Sequence, residues 1–314
     1  MSLTTRVVKK LLRTQPLGQT ISKMLHLVGA EHISRASSIY SGFAPENVPI
    51  RIPLSNGTQK TVLMASARGS DYVAKSMWKH GWLGHEAPLP LVFARLAERA
   101  QVILGVGANS GLYEIIAAAA SDDSTMYAFE PFPPAIHWLK HNISLNHFEQ
   151  RVQIIEQAVS DKVGIAKLYI PEKRFGDTLE TSASLNETFR EKHSEVVEVP
   201  VTTLDLFVEK HDVKRVDILR ADVESAEDSV LRGAEKILST MKPWVLIEVL
   251  DSAKLGDLER MRGDHNYRAY WLTETGLVEQ KTVCYSPSSP NQLLCPEEKC
   301  DLLRQLLPDL NITQ

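Results

Sequence analysis

Two hydrophobic periods alternate along this chain. Val102-Ile103-Leu104 is a continuous apolar run, and Leu112, Ile115, Ile116 and Ala119 then recur at the spacing of one helix face. Met126-Tyr127-Ala128-Phe129 reads as a strand. Ile136, Leu139 and Ile143 mark the next helix, which Pro133-Pro134 presets and which ends near Asn146. Residues 152–155 read as a third strand, 216–222 as a fourth and 243–250 as a fifth. The fifth is almost continuously apolar, as a strand covered on both faces must be. Val230, Ala234, Ile237 and Leu238 predict a helix between the last two, with Ser225 as its cap. Strands alternating with helices predict a parallel sheet joined by right-handed crossovers.

The flanking segments carry weaker patterns. Residues 50–54 and 60–64 flank Asn56-Gly57, a favoured hairpin turn. Ser70 is placed to cap a helix over 71–79 that Gly81 ends, and 90–99 is a second helix. Strands are expected at 164–170, 196–201, 267–273 and 292–295, with short helices at 203–209 and 257–262. Residues 175–190 are polar and mixed, and read as a flexible insertion. The pattern divides the chain into an N-terminal extension, 1–85, and one α/β domain, 86–314. The segment from Arg6 to Arg13 is a short basic amphipathic stretch, read as a solvated helix in preference to a membrane-surface element.

Composition narrows the function classes. The 314 residues are 43% hydrophobic with a net charge of −4, enough for a full core and without the basic footprint of a nucleic-acid binder. No apolar run reaches the ~18 residues of a membrane span. The basic start lacks the apolar core of a secretory signal, so a cytoplasmic location is expected. Cys284, Cys295 and Cys300 match neither a disulfide framework nor a zinc template.

The candidate chemistry gathers behind the first apolar run. Gly105-Val106-Gly107-Ala108-Asn109-Ser110-Gly111 links that strand to a helix. Such a turn lets a ligand approach the backbone, and the helix start favours anionic groups. A dinucleotide site would need glycine where this chain has Ser110. The wider Gly-x-Gly-x-x-x-Gly spacing suits S-adenosylmethionine, which has an adenosine and a carboxylate but no pyrophosphate. Glu130 ends the second strand, where a carboxylate meets ribose hydroxyls.

Asp222 ends the fourth strand, where open α/β sheets place ligands, and is the candidate base toward an acceptor hydroxyl. Glu224 is placed to share that work, as is Glu227, and Glu248 lies near the end of the fifth strand. Three carboxylates are able to hold Mg²⁺, but nothing else in the sequence asks for a metal, and none is expected. His137 and His141 have zinc-helix spacing, yet Trp138 stands where the glutamate would be. Ser110 lacks the flanks of a hydrolase nucleophile.

With these pieces in order, the chain resembles the FkbM family of S-adenosylmethionine-dependent methyltransferases. The resemblance rests on Gly107-Ala108-Asn109-Ser110-Gly111-Leu112-Tyr113, Ala128-Phe129-Glu130-Pro131 and Gln157-Ala158-Val159-Ser160-Asp161. It continues in Val201-Thr202-Thr203-Leu204-Asp205, Asp222-Val223-Glu224-Ser225-Ala226-Glu227 and Ile247-Glu248-Val249. It implies a seven-stranded class I methyltransferase sheet, its last strand antiparallel, with helices on both faces. It also implies O-methylation of a sugar, glycan or secondary-metabolite hydroxyl, and adds Gln157 and Ala158 to Gly105, Gly107, Ala108, Asn109, Gly111 and Glu130 as cofactor contacts. This chain departs from the family pattern with Gly105 where the family has Asp, Arg220 where it has Lys, and Ser225 where it has Gly. A cofactor-binding relative without activity, or a nicotinamide oxidoreductase, are the alternatives the sequence leaves open.

Overall fold

A computed structural model describes residues 44–67, 70–172, 182–190 and 192–313. The segment from Arg6 to Arg13 and residues 175–181 of the polar insertion lie outside the described residues. β1 (Asn47–Pro53) and β2 (Gln59–Ala65) form the expected antiparallel hairpin around Asn56-Gly57. Val48, Ile50, Ile52, Val62 and Met64 bury its inner face in the same core as the helices that follow. α1 (Tyr72–His80) is capped by Asp71, whose carboxylate accepts from the Ala74 N–H, and not by Ser70 as expected. α2 (Leu89–Ala97) follows.

The alternating pattern becomes a layered α/β domain. In chain order its first elements are β3 (Val102–Val106), α3 (Leu112–Ala120), β4 (Thr125–Phe129), α4 (Pro133–Leu145) and β5 (Val152–Ile155). Next come β6 (Ala158–Val159), β7 (Gly164–Pro171), β8 (His193–Thr202) and α5 (Leu204–Lys210). Then follow β9 (Ile218–Ala221), α6 (Glu227–Arg232), a turn of π-helix (Ile237–Met241) and β10 (Trp244–Glu248). The chain closes with α7 (Leu255–Asp264), β11 (Tyr267–Thr273), β12 (Gly276–Gln280), β13 (Asn291–Pro296), α8 (Cys300–Leu306) and β14 (Asn311–Thr313).

The main sheet runs β14-β12-β11-β13-β10-β9-β3-β4-β5. β5, β4, β3, β9 and β10 are mutually parallel, and β13 enters antiparallel to β10. The seven strands from β5 to β11 are the expected set. β12 and β14 extend the edge beyond it, so among the described residues the sheet has nine strands, not seven. Residues 276–280 were not expected as a strand, because Leu277-Val278 alone is too short an apolar signal. A smaller sheet, β6-β8-β7, stands apart.

Side chains of successive strand residues leave opposite faces, and this builds two cores. Ile103, Ile218 and Leu246 join the layer holding α2, α3, α4 and the hairpin. Leu104, Val106, Leu219, Val245 and Ile247 join the layer holding α5, α6 and α7. The largely apolar β3 and β10 are therefore covered on both sides.

Candidate cofactor and acceptor site

The C-terminal ends of β3, β4 and β9 open into one cavity of about 880 Å³, its mouth included, within the ~300–1,000 Å³ typical of small-molecule sites. It is lined by the turn from Gly107 to Gly111, by Glu130, Phe132, Gln157 and Ala158, and by Arg220, Asp222 and Glu224. Gly105 is not among the lining residues. It lies inside β3, one strand position before the turn begins.

The turn needs its glycines for distinct reasons. Gly107 has φ +79°, and a Cβ there would stand 1.8 Å from the Asp222 carbonyl oxygen. β3 and β9 therefore approach too closely for any side chain at that position. Gly111 has φ +95° and packs against Leu139 of α4. The Gly107 and Ala108 N–H groups donate to the Phe129 carbonyl, which ties the turn to β4.

Glu130 does more than end a strand. It is buried, with Oε2 accepting from the Asn109 N–H at 2.8 Å and Oε1 from the Phe132 N–H at 2.9 Å. Burial pushes its carboxyl up to about 7, against the pull of those two N–H groups. Each oxygen retains a lone pair for a further donor. Glu130 thus braces the turn as well as facing the cavity.

Arg220, on β9, is the hub of a buried charge network. Its Nη2 lies 2.6 Å from Asp222 Oδ2 and 3.8 Å from Glu86 Oε2, and its Nη1 donates to the Gly107 carbonyl at 3.4 Å. The guanidinium sits 4.0 Å above the Tyr113 ring, and the Tyr113 hydroxyl donates to Glu86 at 2.6 Å. Burial raises Glu86, but the charges of His85 and Arg220 and the Tyr113 hydroxyl outweigh it and leave the group below its ordinary range. His85, Glu86 and Tyr113 were not singled out in the sequence, since the network joins a loop, a helix and a strand distant in the chain.

Asp222, Glu224 and Glu248 converge at the ends of β9 and β10, each offering one oxygen within 4.8 Å of the others. Burial first, then mutual repulsion, pushes Glu248 up to about 10 and Glu224 well above its usual range. Burial also raises Asp222, against the opposing charge of Arg220. Glu227 accepts the Val223 N–H at 2.9 Å and is raised to about 8 by burial. Ser225 does not cap α6. Its neighbour Ala226 takes that position, and Ser225 instead has φ +71° with its hydroxyl paired to Ser252. A left-handed residue is where glycine is the least strained choice, which is the physical content of that family glycine. His137 and His141 flank Trp138 edge-on, away from this cluster.

The Methyltransferase FkbM domain matches residues 105–269. The chain belongs to that family. The matched segment of the FkbM domain runs from β3 through β11 and so includes the glycine turn, Glu130 and the whole acidic cluster. FkbM domains are methyltransferase domains, with S-adenosylmethionine as the methyl donor. "Methyltransferase 1" of Beauveria bassiana (strain ARSEF 2860) is 28% identical over 164 residues, 48% of this chain and 65% of that protein. "31-O-demethyl-FK506 methyltransferase FkbM" of Streptomyces tacrolimicus is 24% identical over 189 residues, 53% of this chain and 72% of that protein. A Methanocaldococcus jannaschii tRNA(Phe) (4-demethylwyosine(37)-C(7)) aminocarboxypropyltransferase is 27% identical over 157 residues, 46% of this chain and 61% of that protein. The chain thus spans less than two thirds of the first and third of these relatives.

The residues present fit the FkbM cofactor. Asn109 Oδ1 is buried and lacks a hydrogen-bond partner among the described residues. Asn109 lines the cavity beside Glu130. Buried polar atoms of this kind are normally satisfied, and a polar ligand satisfies them. Phe132, Ala158, Val159 and Leu168 offer the opposite, apolar wall that a flat base requires.

Proposed function

We propose that this chain is an O-methyltransferase that transfers the methyl group of S-adenosylmethionine to a hydroxyl of a sugar, glycan or secondary metabolite. The observation that carries this reading is the meeting of two sites in one cavity. A glycine turn and Glu130 line it together with the raised carboxyls of Asp222 and Glu224. Bound S-adenosylmethionine supplies an electrophilic methyl on a sulfonium. Gly107 to Gly111, Gln157 and Ala158 hold the donor, and Glu130 accepts from its ribose hydroxyls.

Asp222 takes the proton of the acceptor hydroxyl or orients it, with Glu224 beside it. A carboxyl lifted toward neutrality is a better general base than an ordinary one. Arg220 fixes the Asp222 carboxylate in place. Positioning can contribute ~7–11 kcal/mol to such a displacement and the base a further ~10²–10⁴-fold. Geometry therefore carries most of the rate.

The division at residues 85 and 86, a cytoplasmic location and the absence of a nucleic-acid partner belong to the same proposal. Among the described residues no helix is long and apolar enough to cross a membrane. The net charge of −4 supports a small-molecule or glycan acceptor over RNA.

The test is incubation with methyl-labelled S-adenosylmethionine and parallel panels of hydroxylated glycans, hydroxylated small metabolites and tRNA. Label on an acceptor hydroxyl is the expected outcome. Label on tRNA alone would overturn the acceptor class. Transfer of the aminocarboxypropyl group, as named for the archaeal relative, would overturn methyl transfer.

A further inference from the structure

Gly105 has no conformational reason to be glycine. It sits within β3, paired with Ala128 of β4 and Arg220 of β9, and its φ is not positive. What excludes a side chain is Glu114, in the first turn of α3. A Cβ at position 105 would stand 2.7 Å from Glu114 Oε1 and 2.6 Å from the end of Met126. Glu114 is fully buried, and beyond its own backbone its carboxyl oxygens have no hydrogen-bond partner among the described residues. Arg220 Nε, on the strand beside Gly105, is also buried and unpartnered there. An acid held in the core with no partner beyond its own backbone is costly, so packing alone does not account for it.

We infer that Glu114 is a positioning residue of the cofactor site, an acid delivered from α3 into the side-chain space of Gly105, from where it holds Arg220 and through it the glycine turn. The route is short. Arg220 Nη1 donates to the Gly107 carbonyl, and Gly107 opens the turn that lines the cavity. Asp222 and Glu86 hold the outer end of the guanidinium, and Glu114 fills the space over Gly105, the strand neighbour of Arg220. The acid that the family resemblance places at position 105 is thereby not lost but moved along the chain to 114. Glycine at 105 and glutamate at 114 form a matched pair, each requiring the other.

This inference rests on the cofactor-site reading, and a double-mutant cycle separates the two. S-adenosylhomocysteine affinity is measured by calorimetry, and thermal unfolding is followed in parallel, for wild type, Glu114→Gln, Glu114→Ala, Gly105→Asp and the Gly105→Asp/Glu114→Ala pair. Glu114→Gln keeps the volume and removes the charge, and should weaken binding about tenfold, the scale of one charged interaction. Gly105→Asp sets a second carboxylate against Glu114 and should weaken both binding and stability. The double variant returns one acid to that space from the strand and should recover affinity to within about threefold of wild type. Wild-type affinity in Glu114→Gln, or singles whose effects simply add in the double, would overturn the inference while leaving the cofactor site standing. If wild type itself bound no S-adenosylhomocysteine, the cofactor reading would fall, and this inference with it.

Discussion

Glu130 and Asp222 are single carboxylates whose surroundings set different duties. Glu130 holds two backbone N–H groups, so its loss touches both the turn and the ligand. Glu130→Ala should weaken S-adenosylmethionine and S-adenosylhomocysteine alike by ~10–150-fold, the worth of hydrogen bonds to a charged group. Unlike an exposed strand end, it should also lower the unfolding midpoint. Equal affinity for both ligands in the variant and in wild type would detach Glu130 from the ribose. Asp222 is held at 2.6 Å by Arg220, the same guanidinium that donates to the Gly107 carbonyl of the turn. Asp222→Asn should reduce turnover by ~10²–10⁴-fold, well beyond any loss of cofactor affinity that reaches the turn through Arg220. Single-turnover methyl transfer at the wild-type rate would remove it as the base. The sequence placed both residues by strand-end position, but it did not show what each one grips.

At the scale of elements, α4 does work that its hydrophobic face does not announce. Asn142 Nδ2 donates to the Ser110 carbonyl in the glycine turn, and its Oδ1 accepts from the Ala65 N–H of β2. Asn146 makes the same kind of reach to Leu63 in both directions. The buried Asn142 amide thus joins the N-terminal hairpin to the cofactor turn, and the half-buried Asn146 at the helix end adds a second tie to the hairpin. Asn142→Ala leaves a buried N–H and a buried carbonyl unpaired, and should cost about 2–4 kcal/mol. Urea unfolding with an unchanged m-value and a lower midpoint is the expected signature. An unchanged midpoint would mean that the hairpin does not depend on this link. The sequence marked Ile136, Leu139 and Ile143 as the helix face and was silent on the asparagines, because a polar residue's buried partner is set by a segment some 77 residues away.

Across the whole molecule, the buried acids make stability depend on pH in an unusual direction. Glu114 and Glu130 are pushed up to about 7 and Glu227 to about 8, burial being the largest cause in each case. The charges acting on Glu114 are those of Arg220 and Glu130. When a folded acid has a higher pKa than its unfolded form, the native state holds protons that the unfolded chain has released. Its contribution is fully present below about 4.5 and is lost as pH rises through 7 to 8. Glu86, Asp161 and Glu259 are shifted the other way, so their stability is lost only on acidification. Between pH 5.5 and 8 the raised acids therefore decide the slope. The ligand-free protein should melt roughly 5 °C lower at pH 8 than at pH 5.5, and Glu227→Gln should flatten the difference. A melting temperature that climbs over the same interval would contradict the burial of these groups as protonated, neutral acids.

Pattern alone determined the order of strands and helices, the hairpin at Asn56-Gly57, the glycine turn and the acids at strand ends, because each is written in spacing over a few residues. It placed Gly105 in the turn because a glycine carries no mark of its register. Only the folded sheet shows that residue inside β3, with Glu114 filling its side-chain space. The left-handed Ser225, the Asp71 cap and the two extra edge strands were hidden for a similar reason. Their local signals are weak, and their geometry is imposed by neighbours. The network of Glu86, Tyr113, Arg220 and Asp222 was beyond any local reading. Charges separated by more than a hundred residues meet only where parallel strands end side by side, and burial there decides which of them keep their protons.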